Sequence, residues 1–138
     1  MNLQARRHGV VAVVFRRGQF LAIRRSRHVV APGAVCFPGG GVESGESEDQ
    51  AVSREMMEEL GVHAIPMRRI WESLTSRNVF LGWWRTAIAE PIRLNPNSKE
   101  VADVSWLSSE ELVRQEGLLN SNCEFLQAYA RGEFQLEV

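Results

Sequence analysis

The sequence predicts an α/β fold in which a mixed sheet is packed by helices. Three observations carry this expectation. Short runs rich in β-branched residues occur in both halves of the chain, one long helical pattern separates them, and capping-box signals recur near the C-terminus. The 138 residues suit a single domain over 1–138 built on one core, with no repeat, low-complexity tract or linker to divide it.

Residues 1–8 are polar and basic and read as a lead-in. Gly9 to Phe15 (GVVAVVF) reads as a buried strand. Arg16-Arg17-Gly18-Gln19 supplies a turn, and Phe20 to Arg24 returns as a hairpin partner. Arg24 to Pro32 is basic and then turn-like, and Ala34 to Phe37 is a short strand. Pro38-Gly39-Gly40-Gly41 is expected to be a loop with special backbone angles. A helix follows. Ser44 or Ser47 can cap it, Glu46, Glu48 and Asp49 suit its positive end, Val52, Met56 and Leu60 form a buried stripe, and Gly61 ends it. Val62 to Leu74 holds a strand that Pro66 interrupts or places at an edge. Val79 to Ala89 and Val101 to Leu107 read as strands separated by a polar loop. Ser108 with Glu111, and Ser121 with Glu124, have capping-box spacing for two closing helices, the second closed by Gly132.

With 44% hydrophobic and 24% charged residues and a net charge of −1, the composition is that of an ordinary globular protein. No global field points to nucleic acid or membrane, and the apolar run Val10 to Phe15 is too short for a signal core or a span, so a cytoplasmic location is expected. Cys36 and Cys123 read as lone thiols, Cys36 as packing, and His8, His28 and His63 are too scattered for a zinc site. The charges are nonetheless segregated. Seven arginines and no acid precede Glu43, and Glu43 to Glu59 is densely acidic, which places both signs near one corner of the chain.

Gly40 to Val62 (GGVESGESEDQAVSREMMEELGV, from Gly40) carries the chemistry. Helical spacing puts Glu55, Glu58 and Glu59 on one face, where they repel one another. A hard divalent cation offsets that repulsion, and Mg²⁺ prefers carboxylate oxygens and substrate phosphates. The glycine corner lets backbone approach an ion or a phosphate. Arg54 is placed to pair with a carboxylate and fix its direction, with Glu46 supporting. The competing reading of the three glutamates is a solvated helix face. For Arg24, Arg25, Arg27 and His28 it is a solvated loop, against a phosphate clamp centred on Arg24 and Arg27. Trp83 and Trp84 are neighbours on a strand, so at most one faces a cleft, and core packing is the simpler role for both, as for Trp71 and Trp106.

The stretch resembles the Nudix box, G-x5-E-x7-R-E-U-x-E-E-x-G-U, over residues 40–62. Gly40, Glu46, Arg54, Glu55, Met56, Glu58, Glu59, Gly61 and Val62 fill every defined position, Met56 standing where an aliphatic residue is usual. The F-P-G-G entry (Phe37 to Gly40) and the closing Glu100…Trp106-Leu107…Glu111-Leu112 pattern are also similar to family features. The resemblance implies the Nudix α/β/α sandwich and a MutT-like hydrolase of phosphorus acid anhydrides. It implies Mg²⁺, with Mn²⁺ able to substitute, held by Glu55, Glu58, Glu59 and the Gly40 carbonyl, with Glu100 as the further acid or base. It implies a nucleotide-type substrate, a nucleoside triphosphate or modified nucleotide being the simplest. It carries no expectation of a stable nucleic-acid or membrane partner and leaves a homodimer open. Two alternatives stay open. Arg24, Gly33 and Val35 partly match coenzyme A-cleaving members, although that motif's second arginine falls at Val29, so a coenzyme A or nucleotide-sugar diphosphatase is one. A non-catalytic nucleotide sensor is the other.

Overall fold

A computed structural model describes residues 6–137 of the chain. Eight strands and three helices follow the expected order: β1 (Arg7–Val13), β2 (Phe15–Arg16), β3 (Gln19–Arg25), β4 (Val35–Cys36), β5 (Gly39–Gly41), α1 (Glu48–Leu60), β6 (Ala64–Leu74), β7 (Val79–Ile88), β8 (Val101–Leu107), α2 (Ser109–Val113) and α3 (Asn120–Ala130). The strands form two sheets. The first, ordered β5-β1-β7-β6, is the mixed one: β1 runs parallel to β7, and the other pairs are antiparallel. In the second, β3 pairs antiparallel with β2, β4 and β8.

Strand alternation then assigns the layers, because successive side chains point to opposite faces. Val10, Ala12, Val14, Leu21 and Ile23 face α1 and pack on Val52, Met56 and Leu60. Val11, Val13, Phe20, Ala22 and Trp83 face the other way and pack on Phe125 and Leu126 of α3. Helix, sheets and helix thus stack as an α/β/α sandwich.

The hairpin is shorter than expected. Only Phe15 and Arg16 pair with β3, since the ladder positions of Arg7 to Val13 are taken by β5 and β7. Pro66 lies in β6, an edge strand whose register shifts between Pro66 and Arg68, as a residue without an N–H requires. Ser108 and Glu111 form the expected capping box of α2. Ser121 and Glu124 do not cap α3. That helix starts earlier, at Asn120, with Leu119 as an N-cap whose hydrocarbon side chain can make no capping bond and whose N–H donates to the Val35 carbonyl. No helix among the described residues is long and apolar enough to cross a membrane.

Candidate active site

Local sequence sets the helix that carries the acids. Ser47, rather than Ser44, caps α1 in a reciprocal box with Gln50, and Gly61 closes it at φ +65°, donating to the Met57 carbonyl. Val52, Met56 and Leu60 are buried on α1 as its spacing predicts.

The glycine corner differs from its expectation. Gly39 to Gly41 form an extended strand, and none of the three has positive φ. Close approach, not unusual torsion, requires two of them. A Cβ on Gly39 would stand 2.2 Å from the Val10 carbonyl oxygen, and one on Gly40 would stand 2.4 Å from Glu55 Oε1. Strand alternation also orients the backbone. Pro38 and Val42 bond β1 through Ala12 and His8, so Gly40, opposite Val10, turns its N–H and C=O toward β1. Gly39 and Gly41 turn theirs toward α1: Gly39 N–H donates to Glu59 Oε1 at 2.9 Å, and the Gly41 carbonyl accepts from Arg54 at 2.8 Å. The carbonyl on the α1 side is therefore that of Gly39, not the Gly40 carbonyl that the family resemblance implies.

Arg54 locks the acidic helix to its entry loop. It donates two bonds to Glu46, at 2.7 and 2.9 Å, and further bonds to Glu55 at 2.9 Å and Glu58 at 3.3 Å. This pairing pulls the Glu46 carboxyl down to about 2 and raises the Arg54 guanidinium further above its ordinary value. Glu59 is 5% exposed, and burial pushes its carboxyl up to about 8, against the opposing bond from Gly39. Glu55 is raised as well, mainly by burial, with repulsion from Glu58 and Glu100 adding to it. Glu100, bonded to Asn97 at 3.3 Å, repels both Glu55 and Glu59 and so belongs to the same field. Glu58 is more exposed than either and flanks them within reach of Arg54.

Among the described residues no three acidic, imidazole or thiol groups converge as a ready-made metal cluster. The donor set nonetheless suits a hard cation. A buried and a half-buried carboxylate, Glu59 and Glu55, are held near a third against their own repulsion, and the glycine strand leaves room for the Glu55 carboxylate.

The arginines divide differently from the sequence expectation. Arg24 donates to the Gly33 carbonyl at 2.7 Å and pairs across the ladder with Asp103, on the face away from Ile23. Arg27 is exposed in the following loop. Neither joins the carboxylates. Arg25 comes nearer, although its Nε donates to the Val30 carbonyl at 2.6 Å rather than to a carboxylate: its charge acts weakly on Glu59 and also on the buried Cys36 thiol, which burial still pushes up to about 11. Strand parity was the available signal, since Leu21, Ile23 and Arg25 alternate onto one face.

A cleft of about 740 Å³ adjoins the glycine strand. Val11, Phe37, Leu81 and Leu119 give it apolar walls, and Arg25 and Asn122 add polar groups. Asn122 is 2% exposed, and its Nδ2 has no hydrogen-bond partner among the described residues. Nothing in the sequence singled it out. Trp83 is fully buried in the core, and Trp84 is turned to α1, so neither lines the cleft.

A family model described as the NUDIX domain matches residues 5–129. The 8-oxo-dGTP diphosphatase of Escherichia coli (strain K12) is 33% identical over 75 residues, covering 52% of this chain and 56% of that protein. Nudix hydrolase 3 of Caenorhabditis elegans is 41% identical over 113 residues, covering 74% of this chain and 46% of that protein. The chain thus spans about half the length of the curated relatives it matches. Among solved structures, the MutT protein from Methanosarcina mazei Go1 superimposes with a TM-score of 0.79 at 25% identity, covering 94% of this chain and 96% of that one.

Proposed function

This chain belongs to the Nudix family, and from that premise we propose that it is a Mg²⁺-dependent pyrophosphohydrolase cleaving the diphosphate bridge of a nucleoside diphosphate linked to another group. One observation carries the proposal: half-buried Glu55 and buried Glu59 both meet a glycine strand, with Arg54 anchoring the helix that bears them. Residues 1–138 then act as one Nudix unit. Free thiols at Cys36 and Cys123 suit a cytoplasmic setting.

Glu55, Glu58 and Glu59 would hold the cation, with the Gly39 carbonyl assisting and Gly40 keeping the space open. When bound, Mg²⁺ (or Mn²⁺) neutralises phosphate charge and lowers the pKa of an attacking water. The remaining steps belong to the chain. Glu100 is the candidate to take the water's proton as its oxygen forms a bond to one phosphorus and the bridging P–O bond breaks. The leaving phosphate keeps the electron pair, and Arg25, which lines the adjoining cleft, is the candidate to stabilise its charge. The apolar walls and the spare amide of Asn122 suit a nucleobase that offers an acceptor, which favours a nucleoside triphosphate or modified nucleotide.

A mass-spectrometric survey of nucleoside triphosphates, modified nucleotides, nucleotide sugars and coenzyme A, with and without Mg²⁺, tests this. The proposal expects Mg²⁺-dependent cleavage of at least one nucleotide, abolished by Glu59→Gln. A nucleotide that binds the unaltered protein while nothing in the panel is cleaved would replace the enzyme with a sensor.

A further inference from the structure

The acidic helix bears one more sheet-facing glutamate outside this constellation. Glu48, Glu55 and Glu59 lie at i, i+7 and i+11, so they share one stripe of α1 along with Val52. Each meets a glycine on the sheet. Glu59 bonds Gly39, Glu55 occupies the space a Cβ on Gly40 would take, and Glu48 occupies the space of one on Gly82, whose Cβ would stand 2.1 Å from Glu48 Oε1.

Glu48 is also held from several sides. Trp84 donates its indole N–H to Oε1 at 2.8 Å, and Arg69 Nε lies 3.1 Å from the same oxygen. Arg69 Nη2 donates to Oε2 at 3.2 Å, and His8 Nε2 bonds that oxygen at 2.6 Å. These partners come from β1, β6 and β7, so one carboxylate ties the start of α1 to three strands of the mixed sheet. The other end of α1 is secured by different means: the buried Met56 and Leu60, and backbone bonds from Asn95 to Leu60 and from Asn97 to Glu59. In the first turn Asp49 and Gln50 are exposed and Ala51 packs in the core, so Glu48 supplies the polar contacts of that turn to the sheet.

From this we infer that Glu48, seated over Gly82, is a positioning residue: it sets the height and rotation of α1 on the sheet, and thereby the placement of Glu55 and Glu59 over β5. The inference rests on the hydrolase reading above. A helix rotated or lifted at its first turn carries the stripe with it, and a metal site tolerates displacements of well under an ångström before its ligands lose their geometry.

Glu48→Gln is near-isosteric and turns an NH₂ group toward donors that need an acceptor. Gly82→Ala removes no titratable group but forces the Glu48 carboxylate upward. Both variants are compared with the unaltered chain by Mg²⁺ calorimetry without substrate, and by kcat and KM on dGTP or on whichever substrate of the panel the unaltered chain cleaves fastest. The inference expects Mg²⁺ affinity to fall at least fivefold and kcat at least tenfold, with KM within about twofold, in both variants. Adding Glu48→Asp to Gly82→Ala, which shortens the side chain above the new methyl, should recover kcat at least threefold. If the variants melt lower yet keep Mg²⁺ affinity and kcat within twofold, Glu48 is a structural tether only and the inference is overturned. A change confined to KM overturns it equally. An unaltered chain that neither binds Mg²⁺ nor cleaves any nucleotide removes the hydrolase reading and this inference with it, whereas a working chain matched by both variants removes this inference alone.

Discussion

At the scale of single residues, Glu59 is the most consequential group, because it is ionisable and yet 5% exposed. In the metal-free chain its carboxyl keeps a proton up to about pH 8, whereas the unfolded chain releases it near the ordinary 4.5. The folded state therefore binds the extra proton between those values, and stability falls as pH rises through that window. Metal-free protein should melt lower at pH 8 than at pH 5, and Glu59→Gln should flatten the trend; parallel melting curves for the two proteins would contradict this origin. A cation must displace the same proton. Calorimetry near pH 6.5 in buffers of different ionisation enthalpy should accordingly show proton release on Mg²⁺ binding, reduced in Glu59→Gln. The arginines give a second contrast. A charge-assisted bond to phosphate is worth about 1.5–3 kcal/mol, so Arg25→Ala should lower kcat/KM by roughly ten- to hundredfold. Arg24→Ala, whose side chain serves the Gly33 carbonyl, should stay within about twofold of the unaltered chain. Equal losses from both substitutions would refute the assignment of Arg25.

At the scale of elements, β5 shows how one three-residue strand can need glycine for different reasons at adjacent positions. A side chain on Gly39 meets backbone, the Val10 carbonyl, which cannot step aside. Gly39→Ala should therefore cost about 1–3 kcal/mol of stability, read as a lower urea midpoint. A side chain on Gly40 meets the Glu55 carboxylate instead. Gly40→Ala should leave the protein folded by circular dichroism but weaken Mg²⁺ binding and turnover. Gly41 has nothing within 4 Å of its would-be Cβ, and Gly41→Ala should be close to neutral in both assays. A uniform response across the three positions would show that chain flexibility, not contact, sets the requirement. The same element explains a misreading. A glycine run suggests torsional freedom, but here it lets a helix of acids and a neighbouring strand approach the sheet closely.

At the scale of the whole molecule, the sheets divide the interior into two cores, and the α3 side is built on aromatic rings. Phe125 stacks on Trp83 at 4.7 Å and lies 5.4 Å from Phe37 and 4.8 Å from Phe134. Emptying that centre should cost about 3–5 kcal/mol. Phe125→Ala should move the urea midpoint by the corresponding amount with little change in slope, and a shift under about 1 kcal/mol would mean that the core repacks freely. The cleft borders this aromatic side and the acids border the other, with the glycine strand between them.

The sequence by itself determined what is settled within about ten residues along the chain. The Val52-Met56-Leu60 stripe and Gly61 define α1 and its buried face, with Ser44 or Ser47 able to cap it, and the spacing of Arg54, Glu55, Glu58 and Glu59 places the acids on it, because caps and helical periodicity are local. The capping box at Ser108 was legible for the same reason, and the family pattern over residues 40–62 was legible because its partners are close in sequence. Only the tertiary structure decided why Gly39 and Gly40 are glycine, which of Arg24 and Arg25 lines the cleft, and that Asn122 meets it. It also decided that Glu48 is seated over Gly82. Each of these depends on neighbours brought from distant strands: Val10 against Gly39, α3 against β4, β7 beneath α1. No local periodicity records which distant atoms will occupy the space beside a residue, and that occupancy is what assigns these roles.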